Sequence, residues 1–248
     1  MRGWWQELAG LVLPVDCAGC GAARVLLCGG CRSALSGAGA RCVRPSPCPA
    51  GLPRVYASAA YEGAVRDVVL AHKERGALAL AGALGGALAA AVRAGGAGGG
   101  RGGAGEVVLV PVPSARRQVR ARGHDPARRI ALAASARLRR AGVRARVAPV
   151  LRLRREVADQ AGLGARGRRE NLAGALEACR GAAPLTAGAA RIVLVDDLMT
   201  TGATLAEAAR ALRAADIGPV TGAAVVAVPV NSFDRIRSAT RTGQKSCE

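Results

Sequence analysis

The sequence predicts an α/β protein: a parallel β-sheet flanked by helices, with a small cysteine-rich subdomain at its N-terminus. Three observations lead there. Aliphatic runs without polar alternation, Val107 to Val110 and Ile192 to Val195, fit strands covered on both faces. Amphipathic helical stretches follow such runs, as in Glu62 to Lys73 and the Ala-rich Leu205 to Ala215. Of eight cysteines, four form two Cys-x₂-Cys pairs near the start of the chain.

Residues 1–15 carry Trp4, Trp5, Leu8 and Leu11, interrupted by Gln6 and Glu7 and closed by Pro14. A short helix with one apolar face is expected there, not a targeting segment, which places the protein in the cytoplasm. Ala77 to Val92, the longest uncharged stretch in the middle of the chain, is too short and too rich in Ala and Gly to span a membrane.

Cys17-Ala-Gly-Cys20 and Cys28-Gly-Gly-Cys31 each point two thiols at one place, the arrangement in which four thiolates close around a tetrahedral zinc ion. In a reducing compartment such thiols are metal ligands rather than disulfides. A closed shell leaves no open position, so this zinc is structural. Cys42 and Cys48 stand among Pro45, Pro47 and Pro49 and form no such pair. The remnant of a second metal site, a redox pair and plain small residues all fit them. Cys179 and Cys247 read as isolated thiols.

Residues 1–53 therefore form the N-terminal helix and metal subdomain, and residues 54–230 the main domain. Val55 to Tyr61 reads as its first strand, and Glu62 to Lys73 as a helix burying Val65, Val68 and Val69 and ending at Gly76. His72 is expected to pack or cap rather than to act as a base. A second helix, Ala77 to Arg93, runs into the glycine-rich stretch 94–105, expected to be a mobile linker. The strand Val107 to Val110 ends in Pro111-Val-Pro-Ser-Ala-Arg-Arg117, a turn with one hydroxyl and two cations. Asp125 as cap, Pro126 in the first turn and Gly142 past the end frame a helix to Ala141. The final strand is Val220 to Val228. The tail 231–248 has little apolar periodicity and is expected to fray.

The chemistry concentrates after Ile192 to Val195. Asp196 and Asp197 stand at that strand's end, followed by Thr200, Thr201, Gly202, Ala203 and Thr204 before the next helix. Ligands of open α/β sheets bind at the carboxyl ends of strands, and a glycine-containing turn into a helix cradles anions. Hydroxyls and backbone N–H groups suit a phosphate, while carboxylates suit sugar hydroxyls or a bridging Mg²⁺. A ligand with both a ribose and a phosphate satisfies both halves. A purely structural account would make Thr204 and Glu207 a capping box, but leaves the two acids unexplained.

The formal charge of +19 rests almost wholly on arginine, with Lys73 and Lys245 the only lysines. Between Ala115 and Glu170 there are 17 arginines against four acids, so 13 of the 19 net charges lie in less than a quarter of the chain. Such a field can steer a polyanion toward a phosphate site, or be a set of solvated helix faces. Aromatics are nearly absent, which argues against a base-stacking platform for single strands and requires a core of small residues.

Val-Asp-Asp-Leu-Met-Thr-Thr-Gly-Ala-Thr204 resembles the phosphoribosyl-pyrophosphate (PRPP) signature of type I phosphoribosyltransferases. The cysteine pairs, the Val-Pro-Val-Pro stretch, Arg122-Gly123 and Gln160 through Arg169-Glu-Asn171 to Gly174 precede it in one order. Together they are similar to the competence protein F (ComF) family over residues about 10 to 228. The resemblance implies a type I phosphoribosyltransferase-like domain with a zinc-ribbon head. It implies that Asp196 and Asp197 hold the ribose hydroxyls, and that Thr200, Thr201, Gly202, Ala203 and Thr204 wrap the 5-phosphate. Ser114, Arg116 and Arg117 would lie at the diphosphate, with Mg²⁺, and residues 152–175, including Gln160, Arg168, Arg169 and Asn171, would form a hood. Where family members commonly carry an aromatic and Asn-Gln, this chain has His124-Asp125-Pro126; His124 is expected to fill the aromatic slot.

The favoured activity is phosphoribosyl transfer from PRPP, a glycosyltransferase reaction, in a protein linked to DNA uptake or processing in natural competence. The alternatives are a nucleobase-salvage phosphoribosyltransferase of unknown acceptor, a non-catalytic partner binding single-stranded DNA and PRPP among competence-machinery proteins, and a PRPP-sensing regulator.

Overall fold

The computed structural model describes residues 16–96, 105–155, 167 and 172–233. Its strands are β1 (Arg41–Val43), β2 (Val55–Ala60), β3 (Glu106–Pro111), β4 (Ala145–Val147), β5 (Leu151–Leu153), β6 (Leu176–Ala178), β7 (Ala189–Leu198) and β8 (Val220–Val228). The helices are α1 (Gly29–Ala34), α2 (Gly63–Glu74), α3 (Ala81–Ala94), α4 (Arg116–Arg122), α5 (Pro126–Arg140) and α6 (Ala203–Ala214). A six-stranded sheet runs in the order β1-β2-β8-β7-β3-β4. Only β1 is antiparallel to its neighbour; the other pairs are parallel. Strands β5 and β6 make a separate antiparallel pair.

The aliphatic strand runs lack alternation because both sheet faces are covered. Val107, Leu109, Val193 and Val195 pack with Val68, Leu84, Leu88, Ile130 and Leu138 of α2, α3 and α5. Their neighbours Val108, Val110, Leu194 and Val225 pack with Leu205 and Leu212 of α6 on the opposite face. Successive strand side chains point to opposite faces, so a strand with a helix layer on each side is apolar at every position.

With so few aromatics, the layers close through small side chains. A Cβ on Gly85 of α3 would lie 2.5 Å from Ala133 Cβ and 2.8 Å from the Ala134 nitrogen of α5. These two helices therefore approach almost backbone to backbone, the form in which an Ala- and Gly-rich sequence reaches native packing density.

The connections define where a ligand can sit. After β3 the chain leaves through α4 and α5 toward β4; after β7 it leaves through α6 toward β8 on the other side. Strands β3 and β7 are adjacent, with Pro111 opposite Val195. Their divergence is a topological switch point, where a crevice opens at the carboxyl ends.

Several boundaries differ from expectation. The run expected as a strand over Ile192 to Val195 extends from Ala189 to Leu198, because β8 continues to pair with it as far as Ala227. The expected helix from Ala77 begins with a 3₁₀ turn, Leu78–Leu80, before α3. The Pro111–Arg117 turn passes directly into α4. Residues 41–43, before the expected boundary at 53, supply the edge strand β1 of the main sheet. Phe233, expected in the frayed tail, is 7 % exposed, with the Arg41 guanidinium 3.8 Å from its ring centre. The apolar face of Trp4, Trp5, Leu8 and Leu11, linker residues 97–104, hood residues Gln160, Arg168, Arg169 and Asn171, and the tail from residue 234 lie outside the described residues. Among the described residues no helix is long and apolar enough to cross a membrane.

Valine at Gly85 must force α3 and α5 apart. Gly85→Val is expected to cost about 1–3 kcal/mol, read as a lowered urea midpoint; an unchanged midpoint would show that the contact tolerates expansion.

Candidate ligand site and metal centre

The turn after β7 is shaped by one left-handed residue. Gly202 caps α6 with φ 76°, a conformation that L side chains rarely adopt. A Cβ there would also meet Leu52 Cδ2 at 2.9 Å and Pro45 Cγ at 3.2 Å. Thr201 Oγ1 accepts from the Ala203 N–H at 3.4 Å. Thr200 is exposed, Thr201 and Thr204 are half-buried, and Gly202 and Ala203 are buried.

Glu207 makes no capping box. It is 7 % exposed, and its Oε1 accepts from the Leu176 N–H of β6 at 3.1 Å. Arg210 donates to both Glu207 oxygens, at 2.7 and 2.8 Å, and to the Leu176 carbonyl at 2.9 Å. This side-chain cluster ties the β5–β6 pair to α6. Burial acts to raise the Glu207 carboxyl, but Arg210 and the Leu176 N–H hold it below the usual range.

Asp196 and Asp197 lie within β7 rather than beyond it, and their carboxyl groups interact with each other. Asp196 is in register with Val225, a residue of the α6-side core. Lys73 Nζ of α2 lies 2.9 Å from Asp197 Oδ2 and 3.1 Å from its Oδ1. Asp196 Oδ1 accepts from the Asp197 N–H at 2.8 Å. Burial, and then the adjacent Asp197 charge, push the Asp196 carboxyl well above its ordinary range. Burial acts to lower Lys73, yet Asp197 and Asp196 together hold its ammonium above the usual lysine range.

The facing loop leaves β3 directly beside this pair, since the Val112 N–H donates to the Val195 carbonyl at 2.9 Å. Asp125 braces that loop. Its Oδ2 accepts from the Ser114 N–H at 3.2 Å, and its Oδ1 caps α5 by accepting from the Arg128 N–H at 3.0 Å. Arg116 and Arg117 occupy the first turn of α4 and are exposed. Among the described residues no hydrogen bond or ion pair joins their side chains to either aspartate. The fold thus brings the Ser114 loop and the acidic pair to the ends of adjacent strands, with Arg116 and Arg117 exposed on the helix that continues the loop.

The last turn of α2 touches everything around it. His124 sets Nε2 3.1 Å from the His72 carbonyl and Nδ1 3.0 Å from the Arg122 carbonyl. Its ring meets the His72 ring edge-on, with centroids 5.5 Å apart. Lys73 holds Asp197, and Glu74 takes Arg122 in a two-point pair at 2.7 and 2.8 Å. His72 is fully buried, and neither of its ring nitrogens finds a partner among the described residues. Burial, and then His124, lower its pKa to about 4.

The four N-terminal thiols of Cys17, Cys20, Cys28 and Cys31 converge, with all sulfurs within 4.8 Å of one another. Cys20 Sγ and Cys28 Sγ are 3.6 Å apart, close to the ~3.8 Å edge of a tetrahedron with ~2.3 Å zinc–sulfur bonds. The Cys28 N–H points at Cys17 Sγ at 3.3 Å, and the Cys31 N–H at Cys28 Sγ at 3.5 Å. Backbone donation from Cys28 and Gly19 lowers the Cys17 thiol to about 6, whereas burial raises that of Cys31. Such a set can hold a metal ion such as zinc. Cys48 is a free thiol, so it makes no disulfide with Cys42. Neither residue joins a metal-competent cluster among the described residues.

Sequence reasoning did not find Lys73 or the Glu74–Arg122 pair as parts of this region, and it read Glu207 only as a capping residue. Lys73 and Asp197 are 124 residues apart, and nothing local marks either as the other's partner. The fold defines an α/β protein with a mostly parallel sheet, an acidic pair and a Thr-Thr-Gly turn at the carboxyl end of β7, and a four-thiol cluster near its N-terminus. No protein-family model matches the chain, and no curated protein does.

Two outcomes follow. Protein purified under reducing conditions is expected to carry about one zinc per chain and Cys20→Ser none, with a lowered melting temperature; metal-free wild type would overturn this. His72 is neutral when folded down to about pH 4, but charges near pH ~6.5 when unfolded. Stability attributable to it is therefore intact above pH ~6.5 and is lost as pH falls toward 4, by roughly 2–3 kcal/mol. Urea midpoints at neutral and acid pH should converge in His72→Phe; an equal acid loss in both proteins would refute the assignment.

Proposed function

We propose that the chain is a phosphoribosyltransferase-like protein of the ComF type, with a zinc-ribbon head, that binds PRPP with Mg²⁺ and transfers its phosphoribosyl group. The observation that carries this reading is the meeting of two strand ends at the switch point. One ends in the acidic pair and the Thr-Thr-Gly turn; the other ends in the Ser114–Arg117 loop.

A phosphate at the turn would accept from backbone N–H groups at the start of α6 and from the Thr200, Thr201 and Thr204 hydroxyls. Gly202 lets the backbone come close, and the Leu52 and Pro45 side chains exclude water behind it. The ribose hydroxyls would donate to Asp196 and Asp197. The diphosphate would face the braced Ser114 loop, with Arg116 and Arg117 at its outer side.

In the transfer, the bond between C1 and the diphosphate oxygen breaks and pyrophosphate leaves with the electron pair. A lone pair of the acceptor forms the new bond to C1, and the acceptor gives up its proton. Mg²⁺ bound with PRPP supplies charge neutralisation on the leaving group. Asp196, the carboxylate not held by a lysine, is the residue to which such an ion would turn.

A protein in this role belongs to DNA uptake or processing in natural competence, working in the cytoplasm with single-stranded DNA and its partners nearby. Isothermal titration of the full chain with PRPP and Mg²⁺ tests the core of the proposal. Saturable binding is expected, weakened by about tenfold or more (about 1.4 kcal/mol) in Asp196→Asn and in Thr201→Val. Pyrophosphate release should be lost in Asp196→Asn. No PRPP binding, with salt-sensitive single-stranded DNA binding untouched by Asp196→Asn, would favour the non-catalytic partner instead.

A further inference from the structure

Asp197 is 3 % exposed at the end of a parallel strand. A carboxylate in such a place loses several kcal/mol of hydration unless a cation replaces the water. Lys73 is that cation, straddling both oxygens at 2.9 and 3.1 Å. Its side chain nevertheless keeps 31 % of its surface open. An ammonium has three N–H donors; Asp197 engages at most two of them, and among the described residues the remaining donor meets no acceptor.

Lys73 is also held in place from both sides along the chain. The His72 carbonyl faces His124, and Glu74 binds Arg122. Both partners sit in the Arg122–Asp125 turn, and Asp125 in turn holds the Ser114 N–H. The lysine is thus fixed relative to both strand ends that form the crevice.

We propose that Lys73 is a ligand-binding residue, the built-in cation of the acidic pair, which neutralises Asp197 and donates its remaining N–H to the phosphoribosyl ligand. This rests on the PRPP reading above. Two bare carboxylates would repel a ligand carrying several negative charges and leave its binding dependent on added metal. With Lys73 in place, one of the two charges is cancelled by the protein itself. Asp197 can then accept from a ribose hydroxyl without opposing the phosphates.

The test compares PRPP titrations of the wild type, Lys73→Met, Lys73→Arg, Asp197→Asn and the double variant Lys73→Met/Asp197→Asn, each in EDTA and in excess Mg²⁺. The double variant removes both charges, so no buried charge is left unpaired and the fold is preserved. Lys73→Met should bind at least about tenfold more weakly in EDTA and recover part of the loss with Mg²⁺. Lys73→Arg should retain most of the affinity. The double variant should bind more weakly than Asp197→Asn, because it also lacks the donor to the ligand. Equal affinity of those last two would reduce Lys73 to a structural counter-ion and overturn the proposal. A wild type that binds PRPP while Lys73→Met binds identically in both buffers would sink the proposal alone. A wild type that binds no PRPP would sink the phosphoribosyl reading and this proposal with it.

Discussion

A carboxylate buried at the end of a strand needs a counter-charge, and here the counter-charge comes from a different part of the chain. The ion pair of Asp197 with Lys73 joins β7 to the last turn of α2. The residues on either side of Lys73 extend the same junction to the Arg122–Asp125 turn. That turn reaches the β3 loop through Asp125 and Ser114. A single helix end therefore fixes the relative positions of the two strand ends that define the crevice. Most of these groups are charged or bonded through charged side chains. In a partly buried setting such bonds are stronger than neutral ones and more costly to break singly. Fully buried His72 lies inside the same junction without a polar partner among the described residues, so its protonation would put an unpaired charge at the point where the elements meet.

The sheet owes its shape to the poverty of the sequence in large side chains. Alanine and valine cannot fill a wide gap between layers, so the layers must be thin. Gly85 against Ala133 and Ala134 is the extreme case. Such close packing leaves little room for adjustment between these layers. The crevice sits at the strand ends, where Thr200, Arg116 and Arg117 are exposed while the strands below are sealed on both faces.

The parts legible in the sequence were those set by local pattern. Unbroken aliphatic runs gave doubly covered strands, and Asp125-Pro126 with Gly142 bounded α5 as expected. The paired Cys-x₂-Cys turns gave the four-thiol cluster. What escaped depended on partners far along the chain. Strand β1 is too short to announce itself and exists because β2 offers it an edge. Glu207 looked like a capping residue for Thr204, yet it is drawn to Leu176 because the β5–β6 pair needs its open N–H satisfied. Asp196 and Asp197 were expected to follow a strand ending at Val195; continued pairing with β8 keeps both within β7.

The same long-range logic joins the cysteine-rich head to the ligand turn. Cys17 and Cys31 share a core with α2 and α3, so the thiol cluster is seated on the helix layer that carries Lys73. Beyond it the chain adds β1 to the sheet edge and then lays Pro45 and Leu52 against Gly202 on the opposite side. A Cβ on Gly202 would press on the Leu52 and Pro45 side chains of that segment. The head consequently touches both halves of the crevice: the cation side through α2, and the phosphate-type turn through the proline-rich stretch. A metal ion that orders the four thiols would restrain the chain entering β1. From there the restraint reaches the wall of the turn, without the metal itself approaching the ligand. In a protein with a small-residue core, an ion held by the four thiols would thereby help to keep the distant Gly202 turn in shape.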